Sequence, residues 1–152
     1  MAGHEATVEW QLDDGDFAKG RYSRAHTLSF DGGATVLGSS SPAVVPLPFS
    51  DAAGVDPEEA LIASASACHM LWFLDHARRA GLIVERYRDH AVGKMGKGAD
   101  GRIAITRITL SPEIAFGGDA PDAATVEALH HKAHDDCFIA NSLKTEIVVE
   151  TR

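Results

Sequence analysis

Cysteine is scarce in this chain: Cys68 and Cys137 are the only two in 152 residues. A secreted scaffold of this size held by disulfides carries more, so stability is not expected to rest on a disulfide framework. In a reducing compartment a lone pair of cysteines is more often reactive, metal-binding or simply buried. Basic charge is also in short supply. Lys and Arg number 14 against 22 Asp and Glu, for a formal net charge of -8. Phosphate contacts demand a basic surface, which argues against nucleic acid as a partner. The acidic balance aids solubility and points to no specific partner. The uncharged run from Ala60 to Leu74 contains Ser64, Ser66 and His69 and is shorter than the roughly 18 apolar residues of a membrane span, so no membrane association is expected. The start, MAGHEATVEW, has neither a basic head nor an apolar run, and a soluble cytoplasmic protein is expected. Internal repeats, low-complexity tracts and linkers are missing too. With 45% apolar and 24% charged residues, the composition fits a single globular domain over residues 1–152.

What is present reads as a mixed fold. ATVEWQL alternates apolar Ala6, Val8, Trp10 and Leu12 with polar neighbours, the period of a half-buried strand. AHTLSFDGGATVLGSS reads as two strands around a turn at Asp31-Gly32-Gly33. SPAVVPLPFSDAAGV, with its three prolines, predicts an irregular loop leading into a helix. Asp56 can cap that helix, Pro57 suits its first turn, and Glu59 completes a capping box. Glu58 and Glu59 also complement the helix dipole. The helix is expected to run to about Ala80 and stop at Gly81. It is small or apolar almost all round from Ala60 to Leu74, which predicts a place at the centre of the fold. ERYRDHAVGKM and RIAITRITLSPEI read as two long strands flanking the turn GKGADG. A second helix starts near Asp122, and LKTEIVVET reads as a last strand. The order β-β-β-α-β-β-α-β predicts α+β with antiparallel sheets around a central buried helix.

Chemistry centres on the thiols. Leu61, Ala65, Cys68 and Trp72 follow the spacing of one helix face, so Cys68 reads first as core filler. A thiol in apolar surroundings is inert, and reactivity needs a nearby positive group. On its own helix only His69 lies within a turn, about 100° around the axis. An activating cation must come from elsewhere in the chain or from another chain. GRYSRAHTLSFDGG offers Arg21, Arg24 and His26, with Arg24 and His26 on one side of an extended strand. At the other end, His130, His134 and Cys137 fall at spacings of four and three, and with Cys68 or His69 they make a zinc-like donor set. No C-x-x-C or H-E-x-x-H signature accompanies them, and histidines near a helix end often simply cap carbonyls or face solvent.

Three segments together, YSRAH, DPEEALIASASACHM and AHDDCFIANSL, resemble the OsmC/Ohr family of osmotically inducible and organic hydroperoxide resistance proteins. The likeness spans nearly the whole chain, and its wording is closer to the general OsmC-like branch. It rests on Pro-Glu at a helix start, Cys ten residues after that Glu, and a second Cys near the end of the next helix. The resemblance implies an intertwined homodimer and a thiol-dependent peroxidase for organic hydroperoxides. It makes Cys68 the peroxidatic thiol and Cys137 the resolving one, joined by a disulfide during turnover. It makes Arg24 the activating cation and Glu58 the carboxylate that orients it, with Arg21 and Glu59 as neighbouring candidates. A small dithiol reductant, for instance of lipoyl type, would recycle the disulfide, and neither cofactor nor metal is implied. Ten residues of unbroken helix rise about 15 Å, so Glu58 cannot touch Cys68 on its own straight helix. A composite site across a two-fold dimer meets that constraint. The competing expectations are a metal-binding stress protein using His130, His134 and Cys137, and a ligand-binding module on the same fold with the thiols kept as core.

Overall fold

The structure, a computed structural model, describes residues 3–151. By its internal contacts the chain divides at Ala60/Leu61 into two compact units. In the first, β1 (Ala6–Glu9), β2 (His26–Phe30) and β3 (Thr35–Gly38) form an antiparallel sheet in that order, with Val8 opposite Leu28 and Leu28 opposite Val36. The β2–β3 turn lies where the two glycines predict it. Gly33 takes φ 85°, a conformation that a side chain resists, and its N–H donates to the Phe30 carbonyl at 2.9 Å. β1 is shorter than the alternation predicts, because Trp10 leaves the ladder and its indole N–H donates to the Ser23 carbonyl at 2.8 Å. The proline-rich segment is irregular, as expected.

Helix α1 (Pro57–Arg79) starts and ends as the local sequence dictates. The Asp56 carboxylate accepts from the Glu59 N–H at 2.7 Å, while the Glu59 carboxylate accepts from the Asp56 N–H at 3.1 Å. At the far end Gly81 adopts φ 77°, and Leu82 and Gly81 donate back to the carbonyls of Ala77 and Arg78. That pair of bonds is a Schellman stop. Among the described residues no helix is long and apolar enough to cross a membrane.

The second unit corrects the two long strands. Each is broken: the first into β4 (Ile83–Asp89) and β5 (Val92–Lys97), the second into β6 (Ile103–Leu110) and β7 (Pro112–Gly117). β4 pairs with β7, and β5 with β6, so the hairpin crosses from one sheet to another at the breaks. The Asp89 carboxylate stitches the crossing, accepting from the Ser111 N–H at 2.6 Å and from the Ser66 hydroxyl. Pro112, which has no N–H to give, opens β7. The antiparallel expectation holds for these pairs, whereas β8 (Glu146–Val149) runs parallel to β6. Helix α2 (Ala123–Asp136) is capped by Asp122, whose carboxylate accepts from the Thr125 N–H at 2.8 Å. A short helix α3 (Phe138–Ser142) follows that the sequence reading did not separate from α2.

Two apolar clusters fill this unit. Phe73, Ala77, Leu129 and Ala133 bring α1 and α2 together, and Ala65, Ile108 and Leu110 seat α1 on β6. The buried stripe of α1 is therefore Ala65, His69, Phe73 and Ala77. It lies one position round from the predicted Leu61–Ala65–Cys68–Trp72 face. Cys68 and Trp72 are half-buried at the stripe's flank, and Leu71 is 62% exposed.

Candidate thiol site

Cys137 stands at the joint between two helices. Its backbone N–H closes α2 on the His134 carbonyl at 3.2 Å, and its Sγ accepts from the Ala140 N–H at 3.4 Å to open α3. That double duty holds the thiol inward at 1% exposure. The half-buried thiol of Cys68, from α1, lies close enough to it to bear on its ionisation. Both cysteines are free. Burial first, and the neighbouring Cys68 second, push the Cys137 thiol up to about 11. The two sulfurs that the sequence separates by 69 positions are thus brought together.

Their surroundings are apolar. Trp72, one turn beyond Cys68, meets the ring of Phe138 edge-on, centroids 5.4 Å apart at 89°. Phe138 is 69% exposed, so with Leu71 and Trp72 it forms an apolar rim beside the thiols. Trp72 also stacks on His76, whose Nε2 is 2.8 Å from the Asp136 carboxylate.

Arg24 and Glu58 share a different cavity, in the first unit. It has a volume of about 430 Å³ and is lined by Val8, Trp10, Phe17, Tyr22, Arg24, His26, Ser39, Ser40, Val44, Pro57 and Glu58. The Arg24 guanidinium lies 3.7 Å over the Tyr22 ring and donates to the Gly20 and Tyr22 carbonyls. Trp10, Phe17 and Tyr22 pack on one another at centroid distances of 4.8 to 6.0 Å, giving one wall of aromatic rings. Arg24 and Glu58 line this cavity without an ion pair between them among the described residues. Their rivals fall outside the lining: Arg21 pairs its backbone with Asp16, and the Glu59 carboxylate serves the α1 cap.

The metal reading finds no support in the geometry. Among the described residues no group of three or more His, Cys, Asp or Glu is placed to hold a metal ion. His130 instead faces His69, Nδ1 to Nε2 at 3.0 Å, with the rings near parallel at 12°. Both rings are buried, at 4% and 1% exposure. Burial is the largest cause holding each imidazole down at about 4, with the charges of His130 and His134 adding to the effect at His69. This pair was missed as a pair in the sequence. The available signal was that His69 sits on the same i, i+4 stripe as Ala65, Phe73 and Ala77.

The description OsmC-like protein belongs to the family model that matches residues 50–152. This chain belongs to the OsmC-like family. The OsmC-like fold extends along the whole chain: an OsmC-like protein of unknown function from Vibrio cholerae is 47% identical, each chain covering 100% of the other, with a TM-score of 0.96. More distant solved structures share the fold. An organic hydroperoxide resistance protein OsmC from Legionella pneumophila is 14% identical with a TM-score of 0.71, covering 99% of this chain and 96% of its own. OhrB, the organic hydroperoxide resistance protein of Bacillus subtilis, is 17% identical with a TM-score of 0.67, covering 99% and 98%. No curated protein matches this OsmC-like chain.

Proposed function

We propose that this OsmC-like chain is a thiol peroxidase that reduces organic hydroperoxides to alcohols. The observation that carries the proposal is the pairing of a half-buried Cys68 thiol with a buried Cys137 thiol under an apolar rim. The Cys68 thiolate attacks the distal oxygen of ROOH and the O–O bond breaks. The alkoxide takes a proton and leaves as alcohol, and Cys68 remains as sulfenic acid. Cys137, held as a thiol by burial, gives up its proton as its sulfur attacks the sulfenic sulfur. Water leaves and the Cys68–Cys137 disulfide forms. A small dithiol, for instance of lipoyl type, restores both thiols by exchange and is itself oxidised to a disulfide.

The names of the Legionella and Bacillus relatives support a hydroperoxide as the substrate class. Leu71, Trp72 and Phe138 favour an organic peroxide over hydrogen peroxide, since they would shed water from an alkyl group. Arg24 and Glu58 are proposed as the activating cation and its orienting carboxylate. Helix α1 is continuous from Pro57 to Arg79, so Glu58 stands about 15 Å up the axis from Cys68. We therefore assign Arg24 and Glu58 of a second copy to each thiol pair, with residues 1–152 acting as one domain in an intertwined homodimer in the cytoplasm.

The test is the consumption of cumene hydroperoxide with dihydrolipoamide as reductant. Wild type is expected to turn over many times and Cys68→Ser not at all. Equal rates in the two proteins would end the proposal.

A further inference from the structure

A polar pair inside an apolar helix contact calls for explanation. Between α1 and α2 the buried contacts are Phe73 and Ala77 on one side and Leu129 and Ala133 on the other. These contacts are non-directional, and two of the four residues are alanines with little side chain to interlock. Next to them the His69 and His130 rings meet at 3.0 Å, and His130 also lies against Phe73 at a centroid distance of 4.4 Å. The outer nitrogens, Nδ1 of His69 and Nε2 of His130, are buried with no hydrogen-bond partner among the described residues. The imidazole–imidazole bond is therefore the one polar tie each ring makes there. A hydrogen bond weakens steeply with displacement, whereas apolar contact tolerates sliding. A buried polar pair of this kind adds little net stability over an apolar pair, and its best-attested use is to specify register.

Register matters here because the pair adjoins both thiols. His69 follows Cys68 directly on α1, and His130 lies two turns before Cys137 on α2. We propose that the His69–His130 bond is a positioning element that sets α1 against α2 so that the Cys68 and Cys137 sulfurs meet. The inference rests on the reading of Cys137 as the resolving thiol. The other side-chain bond between these helices, His76 to Asp136, is at the solvent edge, where water competes for the carboxylate.

The experiment measures the effective concentration of Cys137 at Cys68, from the fraction of intramolecular disulfide in glutathione redox buffers without peroxide. In the double variant His69→Leu with His130→Leu, both polar groups go and no buried imidazole is left unpaired. It is expected to keep its thermal midpoint within a few degrees while the effective concentration falls about tenfold, the scale of one directional hydrogen bond. His130→Asn places an amide atom where Nδ1 was and is expected to stay within about twofold of wild type. His76→Ala is expected to do the same. Should the double leucine variant fail to fold, His130→Leu against His130→Asn decides by the same contrast. Wild-type closure in the leucine variants, or a loss in His130→Asn as large as theirs, overturns the positioning role. If wild type forms no such disulfide in the buffer, the resolving role falls with it. If the disulfide forms but peroxide is not consumed, only the peroxidase proposal falls.

Discussion

The thiol of Cys137 is buried against Cys68, across the contact of α1 with the α2–α3 joint. Both sulfurs are free and near one another, the arrangement that the disulfide proposed for turnover needs.

Removing the second sulfur separates the two halves of the proposed cycle. Cys137→Ser is expected to consume about one peroxide per chain and then stall, with the Cys68 sulfenic acid trapped as a dimedone adduct in the mass spectrum. Sustained turnover at the wild-type rate would remove Cys137 from the cycle. In wild type the closure step is expected to accelerate with pH from neutrality toward 11, because the buried Cys137 thiol holds its proton up to about that value. Stopped-flow fluorescence of the adjacent Trp72 reads that step.

Arg24→Ala is expected to slow alkylation of Cys68 by iodoacetamide at pH 7 by about tenfold or more, while Arg21→Ala leaves it within about twofold. The contrast follows from Arg24, and not Arg21, lining the cavity that also holds Glu58. Equal effects of the two substitutions would count against Arg24 as the activating cation.

Acid is expected to weaken the fold through the histidine pair. His69 and His130 hold pKa values of about 4 in the folded chain against 6.5 when free. As pH falls from 6.5, the unfolded chain gains protons that the folded chain refuses, so this stability is complete above 6.5 and is lost on the way to 4. The loss is on the order of 3 kcal/mol for each ring, or about 6–12 °C in thermal midpoint per ring for a chain of this size. The double leucine variant is expected to show a correspondingly flatter profile over that window in a thermal melt.

Gly93 lets β5 lie close to α1. A Cβ there would run into the side chain of Ile62. Gly93→Ala is expected to cost about 1–3 kcal/mol by overpacking, and Gly93→Ala with Ile62→Val to recover part of it. Calorimetry that finds the single variant as stable as wild type would show that Ile62 has room to turn aside.

Local chemistry wrote itself plainly in the sequence. Asp56, Pro57 and Glu59 fix where α1 begins, Gly81 fixes where it stops, and Gly33 marks the β2–β3 turn, because each depends on neighbours a few residues away. Breaks in the long strands were not legible in the same way. They depend on Asp89 reaching Ser111 and Ser66, partners 22 and 23 positions distant. The short α3 was hidden for a related reason: Cys137 ends one helix and begins another with the same residue.

For the site, the sequence by itself determined the cast: two cysteines, an arginine and a glutamate upstream, and histidines beside each thiol. Spacing along a chain says which residues share a helix face, but not which face turns inward. Only tertiary packing decided that His69, rather than Cys68, would occupy the buried stripe of α1, leaving Cys68 at its flank. Only tertiary packing turned His130 from a metal-ligand candidate into the partner of His69, and brought Cys137 to Cys68. Those outcomes depend on how α1 and α2 pack, a long-range balance of apolar burial and one directional bond that no short stretch of sequence contains.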